Sequence, residues 1–189
     1  MAANPRDSNS LQLPEECAEI QRELRMTGNR DRFRFESRWA VSIDDLMRNL
    51  TELDPTVIHF SGHGCGNANL ILQDEQGSSQ RVSPRALAMM IGAAAPSARV
   101  IVLNACYSAV QAEQLRATVD CVVGMDAAIG DDAARAFAVR FYGAIGNGRS
   151  VGNAMQHGIA TLAARQLPDE LVPRCLTRGG VEANDIILA

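Results

Sequence analysis

Two apolar runs dominate the pattern of the chain, and each is cut off abruptly by small or polar residues. The first is V-I-H-F-S-G-H-G over 57–64, and the second is R-V-I-V-L-N-A-C-Y-S over 99–108. Neither alternates apolar with polar positions. Such runs, rich in Val and Ile, mark strands buried on both faces, as in a parallel sheet. C-V-V-G-M over 121–125 has the same character and predicts a third parallel strand.

Helical spacing fills the intervals. Pro14 with Glu15 and Glu16 predicts a helix start, because Pro is tolerated in a first turn and acids favour its positive end. Ile20 and Leu24 share its inner face, and Gly28-Asn29 closes it. Over 32–41, Phe33, Phe35, Ser37, Trp39 and Val41 alternate with Arg32, Arg34, Glu36 and Arg38, which predicts a half-buried strand. Ser42 and Asp45 form a capping-box variant ahead of the stripe Leu46, Leu50 and Leu53. Asp54-Pro55 ends that helix. Residues 69–74 and 80–83 flank Gly77-Ser78 as a surface hairpin. Ser83-Pro84 opens a helix carrying Leu87, Met90 and Ile91, and another spans about 109–118. Asp131-Asp132 open a helix with Phe137, Phe141 and Ile145 on one face. Gly146-Asn147-Gly148 breaks it, and Ser150 caps the last long helix. The tail holds short apolar pieces at 175–177 and 186–188, the latter a candidate edge strand. Strands that alternate with helices predict a three-layer α/β/α sandwich with a mostly parallel sheet.

Composition narrows the class. At 189 residues the chain fits one domain with a sizeable core. With 47% hydrophobic and 21% charged residues it should be globular. A net charge of −4 gives no basis for nucleic acid or an anionic membrane as partner. The cysteines are Cys17, Cys65, Cys106, Cys121 and Cys175. Their odd number, wide spacing and lack of C-x-x-C argue against a disulfide framework or a zinc ribbon. No signal-like segment or membrane-length apolar run is evident, so a reducing cytoplasm is the expected compartment. No cofactor motif is evident and no cofactor is expected.

The candidate chemistry sits just past the two main strands. His63 follows the first and Cys106 ends the second. Open α/β sheets gather ligands outside the carboxyl ends of their strands. A thiol and an imidazole on one edge are the two parts of a cysteine nucleophile and its base. Each has a plainer reading, Cys106 as a structural thiol and His63 as a turn residue. Gly62 and Gly64 let the chain turn sharply around His63, and the Gly64 N–H could help hold an oxyanion. His59 lies on the strand itself, where a satisfied core histidine is expected. A metal set of His59, His63 and Cys65 lacks fixed ligand geometry. His157 reads as a solvated or packing residue. The stretch 146–150 resembles a phosphate loop, but it joins two helices and lacks the Lys. Asp126, Asp131 and Asp132 follow the third strand. Helix capping accounts for Asp131 and Asp132, whereas Asp126 caps nothing and could line a pocket for a basic side chain.

H-F-S-G-H-G (59–64) followed by V-L-N-A-C-Y-S (102–108) resembles the CHAT domain, a caspase-like and separase-like family of clan CD cysteine peptidases. A-N-P-R-D-S (3–8), S-R-W-A-V (37–41), V-G-M-D-A-A-I-G-D-D-A-A (123–134), F-A-V-R-F-Y (137–142) and G-R-S-V (148–151) extend the resemblance over the whole chain. It implies a caspase-haemoglobinase fold and endopeptidase activity on a protein or peptide substrate. His63 would be general base and acid, and Cys106 the nucleophile. The backbone N–H groups of Gly64 and Cys106 would form the oxyanion hole. A backbone carbonyl could orient His63, since no third catalytic side chain is evident. The acid of the specificity pocket maps to Asp126, with Asp131 the alternative, and favours cleavage after a basic residue. Many relatives look like effectors of bacterial defence or cell death, switched on by a sensor, which is a fused domain or a partner protein. The family usually carries an apolar strand before A-N-P, and here only Met1-Ala2 precede it, so the first strand looks missing. Two other readings stand beside the peptidase. One is a catalytically silent caspase-like module for protein assembly. The other, a nucleotide-binding flavodoxin-like domain, lacks a convincing phosphate loop.

Overall fold

The structure is a computed structural model that describes residues 1–65 and 69–188, apart from the side chain of Cys65. In chain order the elements are β1 (Ala2–Ala3), α1 (Leu13–Arg25), α2 (Ile43–Leu53), β2 (Val57–Gly62), β3 (Gly64–Cys65), β4 (Asn69–Gln73), β5 (Ser79–Val82), α3 (Pro84–Ala94), β6 (Val100–Asn104), α4 (Ala109–Leu115), β7 (Cys121–Met125), α5 (Asp131–Gly146), α6 (Val151–Ala164) and β8 (Pro173–Thr177). The main sheet runs β1-β2-β6-β7-β8. The pairs β1·β2, β2·β6 and β6·β7 are parallel, and β8 joins β7 antiparallel. A small sheet, β3-β4-β5, carries the expected hairpin.

The central strands lack alternation because both of their faces are buried. On one face Ile101, Leu103 and Val122 meet Leu50 of α2, Ile91 of α3 and Leu115 of α4. On the other, Val100, Val102 and Val123 meet Leu24 of α1, Phe137 and Phe141 of α5 and Leu162 of α6. These layers make the sandwich that the pattern predicts. Its caps are also in place. Ser42 and Asp45 form a reciprocal capping box, and the Ser83 and Ser150 hydroxyls cap α3 and α6.

Three expectations change. Residues 33–39 do not form a strand. Phe33 and Phe35 do pack inward, so the alternation is real, but among the described residues the backbone meets the sheet only near its end. There Ala2 donates to the Arg38 carbonyl, and Val41 donates to Ala2. Second, the position where the first strand is expected to be missing holds the two residues of β1, with Ala2 opposite Ser61 and Ala3 opposite Gly62. Below β1 the edge of β2 opens into a groove of about 400 Å³ between Phe33, Phe35, Val57, His59 and Tyr142. Third, the edge strand of the tail is β8. Ile186 is instead buried against the α5–α6 face, and its carbonyl accepts from the Val151 N–H.

Candidate active site

The parallel register decides where the two candidate residues go. Ser61 of β2 stands opposite Asn104 of β6. His63 and Cys106 each lie two positions further on, so adjacent strands deliver them to one carboxyl edge. Between them the chain has no room for a side chain at residue 64. A Cβ on Gly64 would overlap the Cys106 carbonyl oxygen and would stand 3.3 Å from the Cys106 nitrogen. The Ile71 N–H donates to the His63 carbonyl at 3.0 Å. In an antiparallel ladder neighbouring residues face opposite ways, so the Gly64 N–H points away from β4.

The imidazole is held by the backbone. His63 Nε2 lies 2.8 Å from the Asn9 carbonyl. A carbonyl only accepts, so the neutral ring carries its proton on Nε2 and leaves Nδ1 as the basic nitrogen. Cys106 is half-buried under the loop after β7. Its sulfur accepts from the Ile129 N–H at 3.5 Å and lies 3.8 Å from the Ile129 carbonyl. Tyr107 takes a left-handed φ of +57°, and its N–H donates to Ala127 at 3.1 Å. A non-glycine residue in that region is strained, and such strain gathers at functional sites.

The acids lie around this edge, each with a partner. Asp126 is exposed and pairs with Arg174 of β8 at 3.1 Å. This Arg comes from the tail, which β8 lays beside the end of β7. Asp131 accepts from the Gln12 N–H at 3.0 Å, joining the start of α5 to the start of α1. Asp132 pairs with Arg135 at 2.7 Å. His59 is a satisfied core residue, and His157 is exposed on α6. The side chain of Cys65 lies outside the described residues. The 146–150 turn caps α5 and α6, with Gly148 at φ +75°.

The CHAT domain family matches residues 1–170. The chain belongs to this family. A probable protease of Gillisia limnaea is 23% identical over 150 residues, covering 78% of this chain and 26% of the relative. The chain thus spans about a quarter of that relative's length. Among solved structures, a secreted C11 cysteine protease of Bacteroides thetaiotaomicron, in complex with an irreversible peptide inhibitor, superposes with a TM-score of 0.59. That match covers 87% of this chain and 58% of the other, at 15% identity. The sheet of this CHAT domain therefore has the caspase-like cysteine protease fold.

A buried polar network lies beneath the edge, and the sequence reading did not find it. Glu16 of α1 is 4% exposed, yet its Oε1 accepts from His59 Nε2 at 2.9 Å, Ser61 Oγ at 2.7 Å and Asn104 Nδ2 at 2.9 Å. The Tyr142 hydroxyl lies 3.0 Å from His59 Nδ1. Burial pushes the Glu16 carboxyl up, but the His59 hydrogen bond and charge, with Ser61 and Asn104, outweigh it and hold the group below its ordinary range. Ser61 and Asn104 are the residues two positions before His63 and Cys106. The network therefore ties α1 to both strands where they deliver the pair. The available signal was the polar pair Ser61 and Asn104 inside otherwise apolar strands. Buried polar groups need partners, and the acids opening α1 were the nearest supply. Asn9 gave no signal, because a carbonyl belongs to every residue.

Proposed function

We propose that this CHAT domain is a cysteine endopeptidase. His63 Nδ1 takes the proton of the Cys106 thiol, and the sulfur attacks a peptide carbonyl. The N–H groups of Gly64 and Cys106 hold the oxyanion. His63 returns the proton to the leaving amine, and water then releases the acyl-enzyme. The Asn9 carbonyl keeps the proton on Nε2, so the base stays poised. The observation that carries this reading is the β2–β6 register, which brings His63, Gly64 and Cys106 together on one edge.

The acidic rim supports cleavage after a basic residue, with Asp126 as the pocket acid and Asp131 as the alternative. The partner is then a protein or peptide with an exposed Arg or Lys. A role as a sensor-activated effector in bacterial defence or cell death fits the family resemblance. A second reading, a silent assembly module, draws on two observations: the Ile129 backbone lies on the Cys106 sulfur, and Asp126 is already paired.

The test is covalent labelling by a peptidyl acyloxymethyl ketone ending in Arg. The peptidase reading expects one label on Cys106, lost in Cys106→Ala and strongly reduced in His63→Ala. A folded protein that stays unlabelled, with its natural sensor supplied, favours the assembly module.

A further inference from the structure

Two of the thiols that the proposed chemistry does not use lie side by side in the main sheet. Cys121 opens β7 and Cys175 lies in the middle of β8. Cys121 stands opposite Thr177, and Cys175 opposite Val123. The two are thus diagonal neighbours on an antiparallel ladder. Strand alternation turns both side chains to the same face. Both are free thiols, and their sulfurs are 3.1 Å apart. A bonded pair has S–S of ~2.05 Å, so about 1 Å of movement separates contact from a disulfide. The ladder from Cys121 to Met125 already fixes both backbones, so side-chain rotation supplies that movement.

We propose that Cys121 and Cys175 are an oxidisable pair, a modification site that peroxide converts to a disulfide joining β7 to the edge strand β8. The two sulfurs differ in a way that suits the chemistry. Cys121 is fully buried, whereas Cys175 is half-buried and reachable. The hydrogen bond to Cys175, together with burial, pushes the Cys121 thiol up. The same contact with Cys121 pulls the Cys175 thiol down. Because peroxide can reach Cys175 and not the buried Cys121, Cys175 is the attacking thiol and Cys121 the resolving thiol.

The sulfur of Cys175 displaces hydroxide from hydrogen peroxide and becomes a sulfenic acid, the hydroxide taking up the proton that the thiol released to form water. The Cys121 sulfur then attacks it, a disulfide forms, and the hydroxyl leaves with the Cys121 proton as a second water. Two thiols are oxidised and one peroxide is reduced. The site is separate from the candidate nucleophile. Cys121 stands level with Val100 at the start of β6, six positions and about 20 Å of strand before Cys106. What the disulfide would fix is β8, the antiparallel strand that also presents Arg174 to Asp126.

The experiment uses the full chain carrying Cys106→Ala, so that the exposed nucleophile does not compete. One equivalent of hydrogen peroxide is added, and intact mass is followed by tryptic mapping without reduction. The expected result is loss of two hydrogens and a joined peptide, 117–135 linked to 175–178, which dithiothreitol separates. Cys175→Ser and Cys121→Ala should each abolish that product. Retention of both hydrogens, or a joined peptide containing Cys17 or Cys65 in its place, would overturn the assignment.

Discussion

The Asn104 amide of β6 donates to the Glu16 carboxylate of α1 at 2.9 Å, two positions before Cys106. Through Ser61 and His59 the same oxygen also holds β2. One carboxylate therefore links both strands that carry the candidate pair to the helix behind them. Helix α1 itself follows the loop whose Asn9 carbonyl orients His63.

Removing that carboxylate should be costly, because it strands several buried partners. Glu16→Ala is expected to lower stability by about 3 kcal/mol at neutral pH. The sign with pH follows from the depressed carboxyl. A group whose folded pKa lies below its unfolded value stabilises the fold above the unfolded value, 4.5 for Glu, and that contribution is lost as pH falls through the folded value. Urea unfolding from pH 7 down to pH 3 should therefore show an acid decline that Glu16→Gln flattens. An equally steep decline in Glu16→Gln would place the acid sensitivity elsewhere.

Gly64 is expected to be the most sensitive glycine for activity. Its Cβ would meet the Cys106 carbonyl, which is backbone and cannot rotate aside. Gly64→Ala must push the β2–β3 turn away from Cys106 and take the Gly64 N–H with it. Loss of one oxyanion donor costs about 10²-fold in kcat. The measurement is kcat beside circular dichroism. A folded Gly64→Ala protein with wild-type kcat would remove Gly64 from the oxyanion hole.

The groove beside β2 makes a separate prediction. Beta-branched residues added before Met1 would continue β1 along Val57 and His59, between β2 and residues 33–37. They would pair free strand edge and cover Phe33 and Phe35. A short apolar extension is expected to raise Tm, whereas one interrupted by Pro, which lacks the donor, should not. Equal melting of the two extensions would show that the groove does not accept a strand.

These cases show which parts of the molecule the chain pattern carried. Strands β2, β6 and β7 were legible because burial on both faces leaves unbroken apolar runs. The capping box at Ser42 and the turn at Gly77 were legible because their chemistry is local. Residues 33–39 misled because their alternation reports side-chain burial, which is real, and not backbone pairing. His63 and Cys106 could be placed on one edge, since strand ends are local features. The Asn9 carbonyl, the Glu16 network and the Arg174–Asp126 pair could not, because each joins segments brought together only by the finished sheet.

That last pair sets the prediction on specificity. Asp126 and Arg174 have side chains 52% and 58% exposed. An ion pair so open to water is worth at most about 1 kcal/mol. A substrate guanidinium can therefore replace Arg174 at little cost, and gains more once the bound peptide excludes water from the carboxylate. If Asp126 is the pocket acid, Asp126→Ala should lower kcat/KM for Arg substrates about tenfold or more, while substrates with an apolar residue before the scissile bond change little. Arg174→Ala should act in the opposite direction and raise kcat/KM for Arg substrates by up to about fivefold, the equivalent of the pair it removes. Asp131→Ala is the control for the alternative acid, because its carboxylate holds the Gln12 N–H and not a guanidinium. The assay compares the three variants on matched Arg, Lys and Leu peptides. If Asp131→Ala takes the loss and the other two variants leave kcat/KM unchanged, the specificity role passes from Asp126 to Asp131. If none of the three alters the Arg-to-Leu ratio, basic preference does not arise from this rim.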